Sequence, residues 1–136
     1  MESACVLRED SGANFHYVTL DGRPQDLRAL AEYLRLVEGP ISLAGEIGAS
    51  IVIRHTNDEL LRISKSGALL TVEGAAGTVS RLFIDALDAV ADDEEAADGS
   101  GVPRHQHIEY LGGGDKWRAP DTLPLIIGSI RSEVPD

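Results

Sequence analysis

The sequence predicts a single α+β domain spanning residues 1–136, an antiparallel sheet of about six to eight strands with two helices packed on one face. Three observations predict it. Two stretches carry apolar residues at the 3.6-residue period of a helix, whereas the rest of the apolar residues fall in short runs separated by turn formers. The strand-like runs come in clusters with helices between them, which favours an antiparallel sheet over one in which strands and helices alternate. A chain of 136 residues buries roughly two thirds of its unfolded surface, enough for one core.

Cys5–Arg8 and Phe15–Leu20 read as two strands joined by the turn-forming Ser11-Gly12-Ala13-Asn14, which predicts a hairpin. Asp21-Gly22-Arg23-Pro24 then changes the period. Pro24 suits a first helical turn, and Leu27, Leu30, Ala31, Leu34 and Val37 share one helix face, which Gly39-Pro40 terminates. From Ile41 to Gly74 four β-type runs (Ile41 and Leu43, Ile51 and Ile53, Leu61 and Ile63, Leu69 to Val72) suggest an antiparallel meander of three or four strands. With Thr78 as N-cap, Val79, Leu82, Phe83, Ala86, Leu87 and Val90 form the clearest helical stripe of the chain. After the flexible Asp98-Gly99-Ser100-Gly101, His105–Leu111 alternates like a strand, Gly112-Gly113-Gly114 breaks it, and Pro124–Ile130 is a last β-type run.

Composition narrows function by exclusion. Lys plus Arg number 12 against 23 Asp plus Glu, a net charge of −11 that is repelled by phosphate backbones and anionic lipid, so neither nucleic acid nor membrane is an expected partner. No apolar run reaches the roughly 20 residues of a membrane span, and Met1-Glu2-Ser3 lacks the bases of a signal peptide, so the chain reads as cytoplasmic. Cys5 is the only cysteine, which rules out an intrachain disulfide and a thiolate cage.

The acidity is local. Asp85, Asp88, Asp92 and Glu95 line the side of the second helix opposite its apolar stripe, and the segment from Val79 to Asp98 holds seven acids against the single base Arg81. Surface helices are ordinarily charged on their polar face, but with mixed signs; a nearly all-acidic face is a candidate contact for a basic protein partner. Trp117, the only tryptophan, stands between Lys116 and Arg118 and is a second candidate contact, with a fold-back onto the sheet edge as the alternative. Changing Asp85, Asp88, Asp92 and Glu95 to Lys is expected to abolish binding and spare the fold.

Signals for chemistry are weaker. His105, His107 and Glu109 fall at i, i+2 and i+4 of a strand, on one side, and are the alternative metal or acid/base site. Neighbours two apart along a strand stand roughly 7 Å from each other, so a tight site needs a ligand from elsewhere, and an exposed strand face accounts for the pattern equally well. Ser50, His55 and Asp58 supply the residue types of a hydrolytic triad without the G-x-S-x-G elbow, and His16 is isolated. Gly112-Gly113-Gly114 and Gly45 to Gly48 lack the following helix that a phosphate cradle requires. The sequence thus predicts a protein that is not an enzyme and needs no cofactor; a small metal-dependent enzyme on the His105/His107/Glu109 face and a non-catalytic subunit of a larger assembly are the alternatives.

The stretch from His105 to Ile127 resembles bacterial immunity proteins, in a His-x-His-Ile-Glu-Tyr strand, a glycine-rich turn, Trp117, and then Ala119-Pro120-Asp121-Thr122-Leu123-Pro124-Leu125-Ile126-Ile127. It is most similar to the immunity protein 32 family of polymorphic toxin systems. That resemblance implies a cytoplasmic inhibitor that binds a cognate toxin domain, and it carries over no catalytic residue. Many toxin domains act on nucleic acids and are basic, which agrees with the acidic helix face.

Overall fold

A computed structural model describes residues 2–11, 16–96, 105–108, 119 and 122–129. The strands are β1 (Glu2–Ser11), β2 (His16–Gly22), β3 (Ile41–Gly45), β4 (Ser50–His55), β5 (Arg62–Ser66), β6 (Leu69–Gly74), β7 (His105–Ile108) and β8 (Leu125–Ser129). Between them lie α1 (Pro24–Leu36) and a second helical stretch in three consecutive parts: α2 (Ala76–Val79), a π-helical turn (Ser80–Ile84) and α3 (Asp85–Ala96). The class is α+β, as the residue pattern predicts.

The sheet has eight strands in the order β5-β6-β4-β3-β1-β2-β8-β7. It is mixed rather than purely antiparallel. β1 and β2, β3 and β4, β5 and β6, and β7 and β8 pair antiparallel, whereas β1 with β3, β2 with β8 and β4 with β6 run parallel. The expected meander between residues 41 and 74 is therefore two hairpins, the second turned so that β6 rather than β5 lies against β4. Alternation of apolar and polar residues fixes which face of a strand is buried but carries nothing about which strand lies beside it.

Strands β1 to β6 and β8 turn apolar residues to one core: Cys5 and Leu7, Val18 and Leu20, Ile51 and Ile53, Leu70 and Val72, Leu125 and Ile127 are buried, as are Ile41 and Ile63. Leu27, Leu30, Ala31 and Leu34 of α1 and Val79, Phe83, Ile84, Leu87 and Val90 of the second helical stretch join the same cluster. Both helices accordingly cover one face of the sheet. At the start of α1 the backbone N–H of Arg23 donates to the Asp26 carboxylate at 3.3 Å while the Arg23 side chain pairs with the same carboxylate at 2.9 Å.

The second helix starts earlier than its sequence suggests. Ala75 is the N-cap, and Thr78 lies inside, its hydroxyl donating to the Glu59 carbonyl at 2.9 Å and tying the helix to the loop before β5. The π turn explains a further departure. By widening one turn it brings both Phe83 and Ile84 into the core and leaves Leu82 half-buried.

Two features close the sheet on itself. The segment leading into β8 runs along the edge strand β5: Ala119 N donates to Leu61 O (3.0 Å), Leu123 N to Ile63 O (2.8 Å), and Ile63 N donates to the buried Thr122 hydroxyl (2.6 Å), before Pro124 O accepts from Val18 N of β2 (3.0 Å). At the end of β5, the Lys65 side chain is only 6% exposed and its ammonium meets Glu46 at 2.7 Å, Glu9 at 2.9 Å and the Gly67 carbonyl at 2.5 Å. One lysine thus ties the end of β1, the β3–β4 turn and the β5–β6 turn together.

Candidate partner-binding face

The acids singled out on the second helix lie at Asp85, Asp88 and Asp92, one helical turn apart, all on α3. They face α1. Arg35 Nη2 donates to Asp88 at 2.6 Å and to Asp85 at 3.2 Å, and Arg28 Nη2 pairs with Asp92. The later arginine of α1 meets the earlier aspartates of α3, so the two helices run antiparallel. The hydrogen bond to Asp88, opposed in part by desolvation and aided by Asp85, holds the Arg35 guanidinium above its ordinary value.

This face is therefore an ion-paired seam. Glu32, 3.9 Å from Arg35, belongs to it as well, so four carboxylates stand against two guanidiniums and the seam stays net negative. It is also open to solvent: the side chains of Asp85 and Asp92 are 60% and 68% exposed and that of Asp88 33%. Arg28 and Arg35 are the residues that reading for acids alone misses. Their seven-residue spacing on the polar side of α1 puts them two turns apart on one face, and that spacing was the available signal. Glu95 lies in the last turn of α3; Trp117 lies outside the described residues.

The alternative site is only partly in view. His105 and His107 lie on β7, where the register sets them opposite Gly128 and Ile126 of β8, and Glu109 falls outside the described residues. Among the described residues no group of three or more His, Cys, Asp and Glu side chains can hold a metal ion. The paper triad is not assembled. Ser50 and His55 stand at opposite ends of β4, roughly 17 Å apart at strand spacing. His55 Nδ1 instead lies 2.8 Å from the Glu38 carboxylate, and Asp58 accepts from Leu60 N at 2.9 Å as a turn residue. His16 opens β2 opposite Ser11. The one cysteine is a core residue: burial pushes the Cys5 thiol up to about 11. Among the described residues no helix is long and apolar enough to cross a membrane.

These features define an α+β protein in which many of the described charged groups are engaged in surface ion pairs and turn caps. Residues 81–130 match the family model described as Immunity protein 32, in agreement with the resemblance carried by His105–Ile127. No curated protein and no solved structure matches the chain. The matched segment runs from the π turn through α3 and β7 to β8, so it includes the acid-bearing helix and the stretch that covers the edge of β5. Over this segment the chain is similar to an immunity protein family, which suggests an immunity function.

Proposed function

We propose that this chain is the immunity protein of a polymorphic toxin system, a cytoplasmic, non-catalytic inhibitor that binds a basic cognate toxin domain through the acidic face of α3. The observation that carries the proposal is the coincidence of the family match with the seam: residues 81–130 include Asp85, Asp88 and Asp92. These are exposed carboxylates in excess over the guanidiniums beside them. A basic protein gains twice from such a face, since its charges accelerate encounter at low salt and then exchange with Arg28 and Arg35 for the same carboxylates. Glu95 and Trp117 extend the proposed contact.

The test uses a toxin domain from a neighbouring gene, which the proposal expects to find beside this one. Co-expression of that domain with the wild-type chain should rescue growth, and the purified proteins should form a complex whose association rate falls steeply with ionic strength. Asp85→Asn, Asp88→Asn and Asp92→Asn combined should slow association by about tenfold or more at low salt. An association rate unchanged by the triple substitution would remove the acidic face from the proposal, and absence of both rescue and complex would remove the immunity reading itself.

A further inference from the structure

Ile47 is fully exposed, the most exposed of the large apolar residues described. It sits in the turn between β3 and β4, and that turn is built to hold it still. Ala49 N donates to Glu46 O at 3.1 Å, closing a four-residue turn with Ile47 in its second position, and Leu43 N donates to Ala49 O at 2.8 Å immediately below. Gly48 has φ +80°, the positive angle that the third position of a type II turn requires. Gly45, at φ +110°, lets the chain enter the turn pressed against the Leu7 carbonyl of β1, where any Cβ would collide. Glu46 itself is clasped at 2.7 Å by the nearly buried Lys65.

A turn that only reverses the chain gains nothing from a β-branched apolar side chain in water. Ile47 spends no contact on its own fold, yet two glycines, two backbone hydrogen bonds and a lysine clasp fix its direction. Such pre-organisation lowers the entropic cost of inserting a side chain into a partner. Beside the turn lies a shallow concavity lined by Leu7, Arg8, Glu9, Gly45 and Glu46. The carboxylates of Glu9 and Glu46 remain about half exposed although Lys65 holds both, so the rim around Ile47 carries two acids beside Arg8. The charges beside Ile47 balance, Glu9 and Glu46 against Arg8 and Lys65, but the net charge of −11 of the whole chain repels a second copy and attracts a basic protein, for which the half-exposed carboxylates are the available partners.

We infer that the β3–β4 turn is a second contact surface, on which Ile47 enters an apolar socket of a protein partner whose Lys or Arg side chains meet Glu9 and Glu46. The inference rests on the reading of the chain as a toxin-binding immunity protein and adds an anchor outside both the acidic helix and the family-matched segment. It commits the partner to an apolar pocket with a basic rim.

The probe is the purified toxin domain that the proposed function expects from a neighbouring gene, titrated against wild type, Ile47→Asp and Ile47→Val. Because Ile47 packs against nothing in the monomer, the melting temperature of Ile47→Asp should match wild type, which separates lost contact from lost fold. Ile47→Asp should weaken binding by about 30-fold or more, the loss expected of a central anchor, with Ile47→Val close to wild type. Wild-type affinity in a folded Ile47→Asp protein would overturn the inference and leave the immunity reading standing. Wild-type protein that fails to bind the toxin domain at all would overturn both.

Discussion

Arg35 is the hinge of the seam, and reversing the charges around it gives a sharp test of how α1 and α3 are coupled. Its guanidinium serves Asp88 at 2.6 Å and Asp85 at 3.2 Å with about a third of each of the Arg35 and Asp88 side chains exposed. Partly exposed pairs contribute about 0.2–1 kcal/mol each, so the two together stabilise the helix pair by about 1 kcal/mol. Asp85→Lys with Asp88→Lys forfeits that and sets two ammonium groups against Arg35, a repulsion of similar size, for a total cost of about 2 kcal/mol. In a domain of this length that lowers the melting temperature by about 6–10 °C. Charge reversal on this helix is thus expected to leave the domain folded but less stable, so neutral Asn is the cleaner substitution for binding work. Adding Arg35→Glu to the Lys pair should restore about half of the loss by rebuilding the pairs with opposite polarity. Urea denaturation of the wild type, Arg35→Glu, the Lys pair and the triple variant gives the coupling directly. In 1 M NaCl, where the Debye length is about 3 Å, the coupling should shrink. Strict additivity of the three stabilities at low salt would refute the seam as an energetic link.

Further outcomes follow from the core and the sheet edge. Phe83→Ala removes the largest fully buried side chain among the described residues and should cost about 3–5 kcal/mol, which a shifted midpoint in urea denaturation would report. Thr122→Val deprives the buried Ile63 N–H of its 2.6 Å acceptor and should cost about 1–3 kcal/mol, while Thr122→Ser, which keeps the hydroxyl, should recover most of it in the same denaturation assay. Cys5, raised from 9.0 to about 11, stays a thiol in the native state and should resist a disulfide reagent at pH 8 until denaturant is added. The sign for stability follows: between pH 9 and 11 the unfolded chain loses a proton that the folded chain retains, so stability falls as pH rises, by up to about 3 kcal/mol. Lys65, held above its ordinary value first by its hydrogen bond to Glu46, contributes fully below that value and loses its contribution at still higher pH. Cys5→Ala should therefore flatten the decline in the pH 9–11 window, and an unchanged slope would reject burial of the thiol as its cause.

What was legible in the sequence follows from the physics of each signal. The stripe of Leu27, Leu30, Ala31 and Leu34 and the run from Val79 to Val90 identify both helices because a 3.6-residue period has one physical cause, and alternation likewise marks the strands. The order of the strands was not legible, since β4 pairs with β6 through side chains as ordinary as those that would have paired it with β5. The π turn at Ser80–Ile84 was not legible either: Leu82 and Ile84 are equally apolar, and only packing decides which enters the core. In the candidate site, Asp85, Asp88 and Asp92 could be found as a row of like charges. Their partners on α1 could not be assigned until the antiparallel packing of the helices was known, because the pairs Arg28–Asp92 and Arg35–Asp85 lie 64 and 50 residues apart in the chain. The resemblance motif at Ala119–Ile127 contained its own structural meaning unseen: Ala119, Thr122 and Leu123 are the residues that hydrogen-bond along β5.

That covered edge has a consequence in time. During synthesis, residues up to about 115 can emerge while Leu61 and Ile63 still present backbone groups whose partners arrive only with Ala119, Thr122 and Leu123. Until then the nascent chain carries an open template for strand addition by any neighbour on the same message. The late segment is what covers that edge. Truncation just before Ala119 should accordingly give a product that collects in inclusion bodies rather than one that is merely less stable, and supplying residues 119–130 in trans as a peptide should hold part of it in solution.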